Sequence, residues 1–177
     1  MPIAIRHAVP GDAAELHTLA ARTFGLACPP GTPQSDVDAF VTTQLSGPKF
    51  EEYLKDGDRI ILLAEEDGTP VGYTMLIGGP IADTDVRAVA PAAGSIELNK
   101  FYVLQEGHGS GISGELMRAT LAAAAGTGAT SCWLGVNQQN ERAAAFYTKH
   151  GFAIIGTKQF RVGEQWHHDH VRLRPLP

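Results

Sequence analysis

The sequence predicts a mixed α/β protein, with a central mixed sheet of about seven strands and four main helices in one domain over residues 1–177. Three observations carry this expectation. Apolar periodicity gives the order β-α-α-β-β-β-α-β-α-β-β, without an internal repeat or a linker suited to a second domain. Two strand-like runs flank Glu66-Asp67-Gly68-Thr69, a hairpin signal. A β-rich run at Phe101–Leu104 enters a turn with Gly107, Gly109 and Gly111, and a helical pattern follows.

The elements follow in order. Pro2–Arg6 reads as a short strand stopped by Val9-Pro10-Gly11, and Asp12 is a suitable N-cap for a helix carrying Leu16, Leu19, Ala20 and Phe24 at helical spacing. Residues 28–35 are a Pro/Gly/Ser linker. A second amphipathic segment, Asp36–Leu45, buries Val37, Phe40 and Val41, and Ser46-Gly47-Pro48 breaks it before a short helical piece at Phe50–Leu54. Arg59–Glu65 and Pro70–Gly78 form the hairpin. Residues 79–94, rich in Pro, Ala and Asp, read as a long loop. Then come a strand at Ile96–Val103, the glycine turn, a helix at Gly111–Ala125, a strand at Ser131–Val136 and a helix at Asn140–His150 stopped by Gly151. Two strands, Phe152–Phe160 and Trp166–Leu173, close the chain.

Composition removes several functions. With 14 Lys and Arg against 19 Asp and Glu, the net charge of -5 lacks the basic balance of a nucleic-acid binder. No apolar run is long enough to span a bilayer, and the N-terminus has no apolar stretch of the signal-peptide kind. Cys28 and Cys132 form no CxxC pair, which fits a reduced, cytoplasmic protein. In the tail, strand alternation puts His168 and His170 on one face and His167 and Asp169 on the other, so a metal site is not expected.

The glycine turn points to a ligand. Backbone N–H groups at a helix start have no intrahelical partner, and the helix dipole adds positive charge, so an anionic phosphate is favoured there. Gly109-Ser-Gly111-Ile-Ser-Gly114 matches the dinucleotide pattern G-x-G-x-x-G. That pattern requires an acid near the end of the next strand for the ribose. The next strand ends Leu134-Gly135-Val136-Asn137, which supplies none.

In the frame His108-Gly109-Ser110-Gly111-Ile112-Ser113, the turn resembles the Arg/Gln-x-x-Gly-x-Gly/Ala phosphate turn of the GNAT N-acetyltransferases. Asn140-Glu-Arg-Ala143-Ala-Ala-Phe146-Tyr147-Thr-Lys-His-Gly151-Phe152 is similar to that family's Asn-x-x-Ala-x-x-Phe-Tyr-x-x-x-Gly-Phe signature. His108 replaces the usual Arg or Gln, and Ser113 replaces a Gly or Ala. More loosely, the RTFG and VGYTML stretches and the tail with Gly163 and Asp169 resemble the bacterial spermine/spermidine acetyltransferase branch.

The resemblance implies the GNAT acyl-CoA N-acyltransferase fold and acetyl-CoA as acyl donor. It implies a diphosphate held by His108, Gly109, Ser110, Gly111, Ile112 and Ser113. It also implies a pantetheine arm lying between the strand of Phe101, Tyr102 and Val103 and the strand ending at Asn137, with Asn140, Ala143 and Phe146 as further contacts. The N–H of Tyr102 or Val103 would meet the thioester oxygen, a donor worth about 3–4 kcal/mol in acyl transfer. Tyr147 would protonate the departing thiolate. Glu97, early on the strand before the turn, would be the base that deprotonates the amine, with one histidine of the tail (His167, His168 or His170) as the alternative. Strand alternation puts Glu97, Asn99 and Phe101 on one face and Leu98, Lys100 and Tyr102 on the other. The acceptor class is a primary amine: a polyamine, another small amine, or a protein or peptide amine. Homodimers are common among such relatives. The alternative on the same fold is a non-catalytic acyl-CoA-binding or sensor domain.

Overall fold

A computed structural model describes residues 2–107 and 109–177, so the expectation at His108 lies outside the described residues. Seven strands form one sheet: β1 (Ile3–His7), β2 (Arg59–Glu66), β3 (Thr69–Ile77), β4 (Ser95–Val103), β5 (Ser131–Asn137), β6 (Ala153–Val162) and β7 (Gln165–Pro175). Their order is β1-β2-β3-β4-β5-β7-β6, with β4 and β5 parallel and every other pair antiparallel. Six α-helices accompany them: α1 (Ala13–Ala27), α2 (Gln34–Gln44), α3 (Gly47–Lys55), α4 (Thr84–Arg87), α5 (Ile112–Gly126) and α6 (Glu141–Lys149). The mixed sheet and the four longer helical patterns of the sequence are present. The addition is α4, a single turn within the expected 79–94 loop, capped by the Asp83 carboxylate, which accepts from the Asp85 and Val86 amides.

Local chemistry sets these boundaries. The β2–β3 hairpin turns through Asp67 at φ 51° and Gly68 at φ 77°, the two positive values that a tight two-residue hairpin needs. Ser46 caps α3 by accepting from the Lys49 amide at 3.2 Å. Asp12 corrects the sequence expectation. It precedes α1 but caps nothing there, because its carboxylate is taken by Arg6 (2.8 and 2.9 Å) and by the Val9 amide (2.7 Å). Arg6 also reaches Glu65 and holds the Asp12 carboxyl below its usual range.

Each face of the sheet has its own core. On one side α1, α2 and α3 bury Leu16, Phe24, Leu45 and Phe50 against Leu63, Tyr73 and Met75, with Phe24 stacked on Phe40 at 4.4 Å. On the other, α5 lays Met117, Leu121 and Ala124 on Leu76, Leu98, Leu134 and Phe152. Apolar burial of this kind contributes about 25 cal/mol per Å², so these two layers anchor the sheet.

Candidate active site

The site arises where two parallel strands part. β4 and β5 pair only through Ser95–Ser131, Ile96–Cys132 and Glu97–Trp133, and beyond that the ladder ends. β4 continues on β3 to Val103, while β5 continues on β7 to Asn137. A cavity of about 510 Å³ occupies the wedge. It runs from Gly109 and Ser113 along residues 97–103 to Val136, Asn140 and Tyr147. The size is within the range of ordinary small-molecule sites.

The glycine turn and the start of α5 lie at one end. Gly109 and Gly111 have φ of 85° and 90°, and Gly111 is the N-cap residue of α5. A Cβ at either would meet nothing within 4 Å, so conformation rather than space calls for glycine there. Gly109 and Ser113 line the cavity. Ile112, expected among the cofactor contacts, is fully buried against Leu62, Ala64 and Leu116, so only its backbone is available to a ligand.

Along β4 the expected alternation fails. A bulge between the Met75–Lys100 and Leu76–Leu98 pairs leaves Asn99 as the extra residue. Leu98 and Phe101 therefore join the α5 core, while Tyr102 packs with Tyr73 on the helix α1 side. Asn99 donates to Glu97 Oε2 at 2.8 Å and accepts from Lys100 Nζ at 2.9 Å. Glu97, Asn99, Lys100 and Tyr102 thus share the face that the simple pattern divides. Backbone direction is also set: Leu104 donates to the Val71 carbonyl at 2.8 Å. Alternation turns the Tyr102 N–H the same way, towards β3, and those of Phe101 and Val103 towards β5.

The ionisable groups bear the marks of a low-dielectric site. Burial raises the Glu97 carboxyl, opposed by the Asn99 hydrogen bond and by Lys158, Lys100 and Arg59. Burial lowers Lys100 to about 8, with Glu97 opposing and Arg59 adding to the fall. Burial also pushes the Tyr147 hydroxyl up, so it remains protonated. Tyr147 is set edge-on to Phe101 (6.4 Å) and Phe152 (5.9 Å). Such clustering of shifted groups in a cleft is characteristic of functional sites.

Helix α6 completes this wall. Asn140 caps it by accepting from the Ala143 amide at 3.1 Å, and Asn140, Ala143, Phe146 and Tyr147 all line the cavity, as does Asn137. Phe146 packs on Phe101 with centroids 5.2 Å apart. Three further groups line the cavity. The end of α1 supplies Thr23, Phe24 and Cys28; Asp169 and Lys158 come from β7 and β6; and His167 brings a buried Nε2 that has no partner among the described residues. Burial raises the Asp169 carboxyl, with Lys158 opposing. Among the described residues no group of three His, Cys, Asp or Glu side chains is placed to hold a metal, and no helix is long and apolar enough to cross a membrane.

Known proteins share this fold. The model of the acetyltransferase (GNAT) family matches residues 16–152. An N-acetyltransferase of Mycobacterium tuberculosis, itself described as uncharacterized, is 47% identical over 165 residues, which is 93% of this chain and 98% of that protein. The PaiA N-acetyltransferase of Thermoplasma acidophilum, solved with coenzyme A, superposes with a TM-score of 0.79 at 20% identity over 99% of each chain. The yncA protein of Salmonella typhimurium, solved with its cofactor acetyl-CoA, gives 0.69 at 17% identity, covering 100% of this chain and 95% of that one.

Proposed function

The chain belongs to the GNAT family of acetyltransferases, and from that membership we propose that it moves an acetyl group from acetyl-CoA directly to a primary amine within a ternary complex. The observation that carries this reading is the parting of β4 and β5 beyond Glu97–Trp133, which opens a cavity from the glycine turn to Tyr147.

The residues divide the work. The amides at Gly109–Ser113 and the start of α5 hold the diphosphate, for which a helix N-terminus is suited. The pantetheine arm lies along β4 and takes up backbone groups that face β5. Phe101 and Val103 have amides on that side, so they are the candidates for the thioester oxygen, and Tyr102 acts through its ring. Asn137, Asn140, Ala143 and Phe146 close over the arm.

The acceptor amine arrives largely protonated, because with a pKa of about 10.4 only about one molecule in a few thousand is neutral at pH 7. Glu97 takes that proton, and its raised carboxyl makes it a better acceptor than a solvated glutamate. The neutral amine attacks the thioester carbon, and the C–S bond breaks as the tetrahedral intermediate collapses. Tyr147, kept protonated by burial, delivers a proton to the leaving thiolate. The second proton of the attacking nitrogen reprotonates the tyrosinate, and the proton held by Glu97 passes to solvent, so amide, CoA thiol and one proton are the products. Neither cysteine favours a covalent acyl-enzyme. Cys132 is buried and pushed up to about 12, and burial likewise raises Cys28, whose thiol bonds the Phe24 carbonyl.

The test is release of free CoA from acetyl-CoA by the purified protein across a panel of amines. Release above the amine-free rate with at least one acceptor is expected. A flat response to every amine, with acetyl-CoA still bound, would favour a binding or sensor role instead.

A further inference from the structure

A second cavity of about 620 Å³ lies beside the first, and the two share Asn99, Lys100, Phe40 and Phe160 as a common wall. Its lining has fewer carboxylates than that of the first, where Glu97 and Asp169 stand with Lys100, Arg142 and Lys158. Lys100 and Arg59 line it, with Arg161 as a further cation, and among the described residues Asp36 is its one lining carboxylate. Asp36 packs so closely on Gly163 that a Cβ there would clash with its carboxylate. Arg161 is already committed to Glu164 and the Gly163 carbonyl.

Lys100 and Arg59 are less fully matched. Arg59 gives its Nε to Asp56 at 3.0 Å and lies over the Tyr53 ring at 4.4 Å, while its Nη1 has the Met75 sulphur as acceptor at 3.5 Å. Lys100 donates to the Asn99 side-chain oxygen at 2.9 Å. A neutral amide and a thioether are weaker partners for part-buried cations than a carboxylate or phosphate would be, although the charge of Glu97 also acts on Lys100. Arg59 also opposes the charge on Lys100, so an anion received between them would relieve both. Glu97 thus lines the donor cavity, Asn99 and Lys100 line both, and Arg59, from β2, lines the second one.

We propose that the acceptor is an amine that also carries an anionic group, a carboxylate or a phosphate. Its anion is received by Lys100 and Arg59 in the second cavity, and its amino group faces Glu97 in the first. This rests on the acetyl-transfer reading and adds the acceptor's class. A polyamine, which has only cations to offer, would meet two like charges there.

Matched pairs test it, in assays of the full chain with acetyl-CoA. L-lysine is set against cadaverine for the carboxylate, and O-phosphoethanolamine against ethanolamine for the phosphate. The anionic member of at least one pair should have a kcat/KM about tenfold or more above its partner, and which pair responds identifies the anion. Lys100→Met should raise KM for the preferred amine about tenfold and bring that ratio towards one, while Lys100→Arg, which retains the charge, should preserve it. Equal or better use of the partners that lack the anion, or a ratio indifferent to Lys100→Met, overturns the proposal. Calorimetry separates the levels of argument. Acetyl-CoA binding without binding of either anionic amine overturns the acceptor class alone, whereas failure of acetyl-CoA to bind overturns the acetyl-transfer reading beneath it.

Discussion

The two edges of β4 differ as sharply as any two regions of the molecule. On the β3 side, pairing runs from Ile77–Glu97 to Gly72–Val103 with a single bulge, and Leu104 extends it by bonding Val71. On the β5 side it stops after three pairs. The same residues therefore serve a continuous ladder with one edge and a ligand cavity with the other. A strand held firmly on one side can leave its other side open without losing its place, which is how a rigid scaffold presents backbone donors to a ligand.

That contrast can be broken from either edge. The largest effect is expected at the open edge, with Glu97→Gln. Loss of the base should lower kcat/KM about 10²–10⁴-fold. Because burial raises the Glu97 carboxyl, activity of the native protein should fall as pH drops through a value above the ordinary carboxylate range, and the variant should lack that limb. A pH–rate profile with the same acidic limb in both proteins would remove Glu97 from the role. Next in size is the closed side, with Phe50→Ala. Phe50 is fully buried and edge-on to Tyr73 of β3 at 5.8 Å, so its removal should cost about 3–5 kcal/mol of stability in denaturant titrations. Acetyl-CoA affinity of the folded fraction should change little, and a large loss would show that the two edges are not independent. Smallest is Tyr147→Phe, which should lower kcat about 10²-fold while leaving the acetyl-CoA dissociation constant near its native value. Unaltered turnover would return Tyr147 to a packing role.

Much of this architecture is legible in the amino-acid sequence. The strand–glycine–helix run and the Asn140–Phe152 signature are local patterns, and local patterns survive folding. The Glu66–Thr69 hairpin likewise follows from residues that tolerate positive φ. What the sequence hides is non-local or arises from one inserted residue. Strict alternation along β4 misplaces Lys100 because it cannot register a bulge, and the bulge at Asn99 is visible only against β3. Asp169 and Lys158 reach the cavity because β7 returns beside β5 and β6 follows it, a topology that no short window encodes. Asp12 has the type and position of a cap, yet Arg6, a residue of the preceding strand, outcompetes the helix amides for its carboxylate.

The short β4–β5 pairing also has a mechanical meaning. The strands β5, β7 and β6 form a unit joined to the rest of the sheet's ladder through three residue pairs, whereas β5 and β7 share seven, from Ser131–Pro175 to Asn137–Asp169. Cooperative opening begins where the fewest bonds must break, so the sheet is expected to open along this seam. Amide hydrogen exchange should show the protons of β5 and β7 leaving as a group, at a lower free energy than those of β2 and β3.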